Sequence, residues 1–190
     1  ATIYWDYQTP SCGGAVPGLG TVPSSAVCQL LSNNATSDYS FLMVLGTLPN
    51  GRYWSGWQAG DPTDGTLVTG IHHPTGAYKR ISFGTKVAGA PANHVRASWY
   101  SGVTEPGSSG SGLFRQDNQR LVGQLHGGAS VCGGSDLTDD YGSFQVTYPN
   151  ISGWLAAGPD DGFENNDACA SATAVGNGSW GGLVVRYGHD

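Results

Sequence analysis

The stretch Thr104–Phe114, with the sequence Thr-Glu-Pro-Gly-Ser-Ser-Gly-Ser-Gly-Leu-Phe, carries the residue types that acyl transfer needs. Glycine adopts backbone conformations that a Cβ forbids, so the amide N–H groups of such a loop can converge on one point. A serine hydroxyl held there can attack a carbonyl while the amides stabilise the resulting oxyanion. The alternative is a flexible Gly/Ser connector.

A predicted strand, Arg120–Leu125, follows this loop and leads into His126-Gly127-Gly128. In this run the sequence resembles the chymotrypsin-fold serine proteases, and most closely the bacterial lysyl endopeptidases. The resemblance implies that His126, Gly127 and Gly128 line the substrate-binding cleft. It also implies that His126 shapes the site without serving as the general base.

The same resemblance assigns the loop itself. The nucleophile of the family lies in a Gly-x-Ser-Gly string, which falls on Ser109. The backbone N–H groups of Gly107 and Ser109 would form the oxyanion hole. Ser108 stands where animal trypsin-like enzymes carry an aspartate, and Gly112 stands where lysyl endopeptidases usually have proline.

Asp38 stands at the start of an almost fully apolar run that ends at Leu45, the pattern of a buried strand. A carboxylate so close to a core needs a partner that offsets its desolvation. It could also be a turn residue that accepts local backbone hydrogen bonds. The resemblance implies the role of triad acid for Asp38.

The segment from Asp136 to Gly142 is rich in acidic residues. A carboxylate at the floor of a specificity pocket favours a Lys or Arg side chain, because pairing offsets the cost of burying both charges. The family's Asp-x-Tyr-Gly string falls on Asp139. Asp136 is a lesser candidate, and a solvated acidic loop is the other interpretation.

Histidines pose the main difficulty. The family order is His, Asp, Ser, but none of the five histidines precedes Asp38. They are His72, His73, His94, His126 and His189. We therefore expect a fragment whose general base lies upstream. The order Asp, His, Ser of subtilisin-like enzymes would suit His72 or His73, but Pro74 and the Gly-rich turn after Ser109 disfavour it.

A metal site is another interpretation of the adjacent His72 and His73. Neighbouring side chains on an extended chain point to opposite faces, so the two cannot readily bind one ion. We interpret the pair as structural or loop-positioning. We predict no metal and no cofactor.

Composition bounds the remaining possibilities. Of 190 residues, 31 are glycine and only 12% are charged, and long helical periodicity is absent, so we predict an all-β chain of short strands. The fold implied is a chymotrypsin-like double β-barrel with its first barrel incomplete and a short C-terminal helix. Eight basic residues and a net charge of −6 disfavour nucleic acid as a partner. No apolar run reaches the roughly 18 residues of a membrane span.

Four scattered cysteines suit an oxidising compartment, where disulfides stabilise a loop-rich chain. They are Cys12, Cys28, Cys132 and Cys169. The resemblance implies that Cys12 and Cys132 pair with cysteines upstream of this sequence. A local bridge between Cys12 and Cys28 is the alternative.

Further strands are predicted at Thr2–Gln8, Ala26–Leu31, Lys79–Phe83, Val95–Tyr100 and Ser143–Tyr148, followed by a helix capped by Asn150. We assign 1–158 to a protease domain, 159–167 to a linker and 168–190 to the truncated start of a β-sandwich that resembles a bacterial pre-peptidase C-terminal domain.

Two functions remain in competition. The first is a secreted serine endopeptidase, expected to be monomeric and to be inactive as this fragment, that cleaves peptides after Lys or Arg. The second is a catalytically silent homologue that binds peptides through Gly127, Gly128 and the Asp139 pocket. In either case the expected partner is a peptide or protein.

Overall fold

Strands dominate the structure, a computed structural model that describes residues 2–45, 48–51 and 55–155. The strands are β1 (Ile3–Tyr4), β2 (Ser24–Ser25), β3 (Val27–Asn34), β4 (Tyr39–Leu45), β5 (Leu67–His72), β6 (Arg80–Val87), β7 (His94–Ser101), β8 (Gly112–Arg115), β9 (Leu121–Gly128) and β10 (Thr138–Ser143). Short 3₁₀ turns cover Leu19–Thr21 and Pro74–Gly76, and helix α1 spans Phe144–Leu155.

Six antiparallel strands close into a barrel in the order β10, β7, β6, β5, β8 and β9. Successive side chains of a strand point to opposite faces, so Val95, Ala97 and Trp99 of β7 all face inward. They pack with Val68, Leu113, Val122, Leu125 and Tyr141. Closure removes the unpaired sheet edges, which makes this barrel the rigid part of the chain.

A two-stranded ribbon of β3 and β4 lies outside the barrel. Large apolar side chains of this ribbon are exposed, at Val27, Leu30, Leu42, Met43 and Leu45. The predicted all-β architecture, with one complete barrel and a short C-terminal helix, is confirmed.

Helix α1 starts earlier than the sequence suggested. The predicted strand Ser143–Tyr148 is wrong, because Ser143 ends β10 and the helix begins at Phe144. Phe144, Thr147 and Ile151 form its buried face at helical spacing. The Ser143 hydroxyl accepts the Val146 N–H at 3.4 Å, the pattern of a helix cap, whereas Asn150 lies within the helix.

Other expectations have mixed outcomes. The strands predicted around Lys79–Phe83, Val95–Tyr100 and Arg120–Leu125 are found as β6, β7 and β9, and the strand predicted over Ala26–Leu31 overlaps β3, which starts at Val27. The strand predicted over Thr2–Gln8 shrinks to Ile3–Tyr4, which pairs with Ser24–Ser25.

The cysteines differ from expectation. Cys12, Cys28 and Cys132 carry free thiols, so the alternative Cys12–Cys28 bridge is not formed. Cys169, the predicted linker and the predicted β-sandwich lie outside the described residues. No helix in the described ranges is long and apolar enough to cross a membrane.

Candidate active site

The nucleophile loop, residues 104–111, connects β7 to β8 and turns tightly at two glycines. Gly107 and Gly110 have φ of 92° and 81°, in the left-handed region that a side chain disfavours. The Ser108 N–H donates to the Glu105 carbonyl at 3.0 Å, and the Gly110 N–H donates to the Leu125 carbonyl at 2.8 Å. The loop is therefore bonded both to itself and to β9.

Two backbone N–H groups of this loop are unengaged. Among the described residues, neither the Gly107 N–H nor the Ser109 N–H donates a hydrogen bond. The Ser109 side chain is exposed, and its hydroxyl has no hydrogen-bond partner in the same part of the chain. Two free amides flanking an exposed hydroxyl can bind an anionic oxygen that forms beside that hydroxyl.

The Ile-His-His-Pro segment and the Thr75 that follows it contact the loop. The Thr75 N–H donates to the Pro106 carbonyl at 2.7 Å, and a Cβ at Gly107 would lie 3.3 Å from the Thr75 nitrogen. His72 is 1% exposed, and its Nδ1 lies 3.0 Å from the Ser108 hydroxyl.

The two adjacent histidines have separate environments, as their alternation on an extended chain requires. His73 hydrogen-bonds the Ala77 carbonyl at 3.0 Å and stacks on Tyr7, with ring centroids 6.0 Å apart. Within the described ranges no cluster of side chains could hold a metal ion.

Asp139 lies deep in the barrel, 1% exposed, and its two oxygens differ. Oδ2 accepts hydrogen bonds from Trp99 Nε1 at 2.5 Å, from the Thr104 hydroxyl at 2.7 Å and from the Ser130 hydroxyl at 2.6 Å. Oδ1 has no donor among the described residues. A buried carboxylate with one free oxygen is suited to a cationic side chain.

Gly128, the partner of Asp139 across β9 and β10, leaves room for the Asp139 carboxylate itself. A Cβ at Gly128 would lie 2.2 Å from Asp139 Oδ1, which no side chain could tolerate without a backbone shift. The neighbouring Asp140 is already neutralised by a bidentate pair with Arg96, both contacts at 2.8 Å. Of these two neighbouring acids, Asp139 is the one without a basic partner among the described residues.

Asp136, the lesser candidate for the pocket acid, is exposed. Its Oδ1 accepts the Thr138 N–H at 3.1 Å and the Thr138 hydroxyl at 2.7 Å. These are the bonds of an Asx-type turn that leads into β10.

Asp38 occupies the turn of the ribbon with a φ of 46°. The preceding residue, Ser37, fastens this turn to the barrel and the helix: its carbonyl accepts from Gln124 Nε2 at 2.6 Å and its hydroxyl bonds Thr147 at 2.9 Å. Gly142 has no Cβ to collide with the Ser37 carbonyl, which would lie 1.7 Å away. The glycine of the Asp-x-Tyr-Gly string therefore permits the docking of the Asp38 turn.

The Asp38 carboxylate faces a histidine pair. His126 Nε2 lies 3.9 Å from Asp38 Oδ2, and both side chains are about half exposed, 56% and 49%. His126 Nδ1 lies 2.9 Å from His94 Nε2, and the two rings are 5.0 Å apart. His94 Nδ1 donates to the Ala92 carbonyl at 2.8 Å.

Sequence reasoning missed several of these residues. It did not single out His94, nor the donors Trp99, Thr104 and Ser130 around Asp139. Thr104 opens the nucleophile loop, so its place beside the catalytic stretch was a signal for a supporting role. The pairing of His94 with His126 depends on strand register, which the sequence does not state.

Three comparisons with known proteins agree with this architecture. The family model "Lysyl endopeptidase, C-terminal domain" matches residues 1–143. A lysyl endopeptidase of Pseudomonas aeruginosa is 34% identical over 165 residues, which is 80% of this chain and 36% of that protein. The chain thus spans about a third of the length of this curated relative.

Solved structures share the fold at low identity. An HtrA-type protease solved with a decapeptide has a TM-score of 0.54 at 17% identity, covering 70% of this chain and 41% of that one. A protease from M. tuberculosis, solved in its active form, has a TM-score of 0.51 at 16% identity, covering 70% of this chain and 60% of that one.

Proposed function

The chain belongs to the lysyl endopeptidase family of serine proteases, and from this premise we propose that it is a secreted, monomeric endopeptidase that cleaves after Lys or Arg through an acyl-enzyme on Ser109. The observation that carries the proposal is the pairing of an exposed Ser109 hydroxyl with two unengaged amides in a tightly bonded loop. This is the arrangement that nucleophilic acyl transfer requires.

In the proposed first step the Ser109 hydroxyl attacks the carbonyl carbon of the scissile bond and loses its proton to an imidazole. The carbonyl oxygen becomes an oxyanion, and the N–H groups of Gly107 and Ser109 stabilise it. Collapse of this intermediate expels the amine, which takes the proton, and leaves an ester on Ser109. Water then hydrolyses the ester by the same route.

The imidazole of this scheme is proposed to come from outside the 190 residues, because no histidine precedes Asp38 in the family's His, Asp, Ser order. Asp38 would orient that imidazole through its Nδ1–H. The half-exposed Asp38 carboxylate, with His126 no closer than 3.9 Å, is compatible with a second partner.

Specificity is proposed to come from Asp139. Its Oδ1, which lies against Gly128, has no donor among the described residues, and Asp140 is already paired with Arg96. A Lys or Arg side chain reaching this oxygen would pair with a carboxylate whose other oxygen is fully hydrogen-bonded. His126, Gly127 and Gly128 on β9 would line the same cleft.

The test is covalent labelling of the full-length protein with a fluorophosphonate probe, followed by mapping of the labelled peptide. We expect the label on Ser109, and we expect Ser109→Ala to abolish it. Ser111→Ala is the matched control: the Ser111 hydroxyl is buried without a hydrogen-bond partner in the described part of the chain, so its loss should leave labelling intact.

Absence of labelling in a folded full-length protein would contradict the enzyme proposal. Retained binding of lysine-containing peptides in that case would identify the chain as a catalytically silent, peptide-binding homologue.

A further inference from the structure

A continuous chain of hydrogen bonds crosses the buried side of the nucleophile loop through His72. The Ser82 hydroxyl donates to the Val103 carbonyl at 3.1 Å, so its oxygen is left to accept from His72 Nε2–H at 3.0 Å. With its proton on Nε2, a neutral imidazole accepts at Nδ1, where the Ser108 hydroxyl donates at 3.0 Å. The bonds around His72 are thereby complete in one tautomer.

This series of hydrogen bonds joins the residue before the loop to a residue inside it. Val103 precedes the loop, and Ser108 lies inside it, directly before Ser109. The Ser108 oxygen also receives the Glu105 N–H at 3.4 Å. Ser108 is 1% exposed, so its side chain anchors the loop in the barrel while the neighbouring Ser109 side chain faces solvent.

We propose that His72 is a positioning residue: by accepting a hydrogen bond from Ser108 in its neutral form, it fixes the backbone of residues 107–109, and with it the N–H groups of Gly107 and Ser109, in the orientation that binds the oxyanion. This inference rests on the proposed function of Ser109. The Ser109 N–H shares a peptide plane with Ser108, and Gly107 directly precedes Ser108, so a backbone movement that took Ser108 away from His72 would turn the Ser109 N–H and displace Gly107 with it.

The environment of His72 favours the neutral ring that this arrangement needs. Burial, the largest influence, lowers the pKa of His72 below its ordinary value of 6.5. The charges of His73 and Arg80 lower it further. The carboxylates of Asp139 and Glu105 oppose the shift without reversing it.

Two substitutions separate the two bonds of the ring. In His72→Asn the amide oxygen can occupy the place of Nδ1, so the bond from Ser108 is kept and the bond to Ser82 is lost. In His72→Gln the amide nitrogen can occupy the place of Nε2, so the bond to Ser82 is kept and the bond from Ser108 is lost. Both variants remove the ring, so each is the other's packing control.

The experiment uses the full-length protein with a lysyl ester substrate, and it measures kcat, KM and the unfolding midpoint for both variants. We expect His72→Gln to lower kcat by about 10- to 100-fold with little change in KM, because misplaced catalytic groups cost about that much. His72→Asn should retain most of the kcat. Ser108→Ala should match His72→Gln, and combining these two should add no further loss, since they break the same bond.

Hydrogen exchange of the peptide covering residues 104–111 gives a readout that does not require activity. It should accelerate in His72→Gln and Ser108→Ala and stay near the parent rate in His72→Asn. Equal losses in the Asn and Gln variants, following their loss of stability, would overturn the inference and leave His72 as a packing residue. An inactive parent protein would refute the proposed function instead, and hydrogen exchange would still decide whether His72 fixes the loop.

Discussion

Two regions of the molecule each present a histidine and a carboxylate, but they hold them differently. In the closed barrel, His72 and Asp139 are each 1% exposed and have extensive hydrogen bonding. At the ribbon, Asp38 and His126 are about half exposed and lie 3.9 Å apart. The barrel groups are fixed before any ligand arrives, whereas the ribbon groups have room for another partner.

This difference follows from how each region buries its polar groups. A buried polar group needs hydrogen-bond partners to be tolerated, so His72 and Asp139 come with dedicated partners and lose little freedom on binding. An exposed carboxylate is solvated by water and needs no such support. In the proposed function the barrel would supply recognition and loop geometry, and the ribbon would supply a carboxylate whose contribution depends on what packs beside it.

The largest loss of activity should come from a substitution in the exposed pair of Asp38 and His126. In the full-length protein we expect Asp38→Asn to lower kcat by about 10⁴-fold, the cost of losing a triad carboxylate, with no change in the unfolding midpoint. Asn tolerates the left-handed backbone at this position, where φ is 46°, so the turn should persist. Steady-state kinetics on a lysyl ester would check this.

Asp64→Asn is the surface control for that variant. Asp64 is 57% exposed, forms an ion pair with Lys86 and has no role in the proposed mechanism. An unchanged kcat in Asp38→Asn would mean that Asp38 is a turn residue and that the ribbon contributes no catalytic group.

A smaller effect is expected on the buried side. Asp139→Asn keeps an oxygen for the Trp99, Thr104 and Ser130 donors but removes the charge. Loss of a buried ionic partner should lower kcat/KM for lysyl and arginyl substrates by about 10²- to 10³-fold. Asp140→Asn, which breaks the pair with Arg96 instead, is the matched control and should keep the preference. If Asp139→Asn kept its preference for cationic side chains, specificity would have to lie elsewhere.

The sequence predicted the contents of the nucleophile loop better than its supports. Gly107, Ser109 and Gly110 lie close together in the chain, so their local geometry follows from glycine and turn chemistry. The donors to Asp139 are up to 40 residues away from it, and the His94–His126 contact joins residues 32 apart. Such contacts depend on barrel closure and strand register, which short-range patterns do not encode.

The error at the end of the barrel has a similar origin. Phe144, Val146 and Tyr148 alternate as a strand would, but Phe144, Thr147 and Ile151 also have helical spacing. Short apolar runs satisfy both periods, and tertiary packing decides. Here Phe144 and Ile151 pack with Tyr39 of the ribbon in a second hydrophobic cluster, and the helical conformation is the one that buries both side chains there.

The smallest expected effect concerns the pH dependence of the free energy of unfolding, to which the buried His72 contributes. The folded state lowers the pKa of His72 because burial disfavours the charged ring, whereas the unfolded chain binds the proton near pH 6.5. Below that pH the unfolded state therefore holds more protons at this site, so the free energy of unfolding should fall as the pH falls. The stabilisation is fully present above pH 6.5. One proton limits the slope to about 1.4 kcal/mol per pH unit.

Urea unfolding of the parent and of His72→Asn between pH 7.5 and 5.0 measures this slope. The free energy of unfolding should decline more steeply with falling pH in the parent, because the other titrating groups are common to both proteins. Parallel curves for the parent and His72→Asn would show that the ring accepts a proton without loss of its bonds, and the contrast between the two regions would then rest on the carboxylates alone.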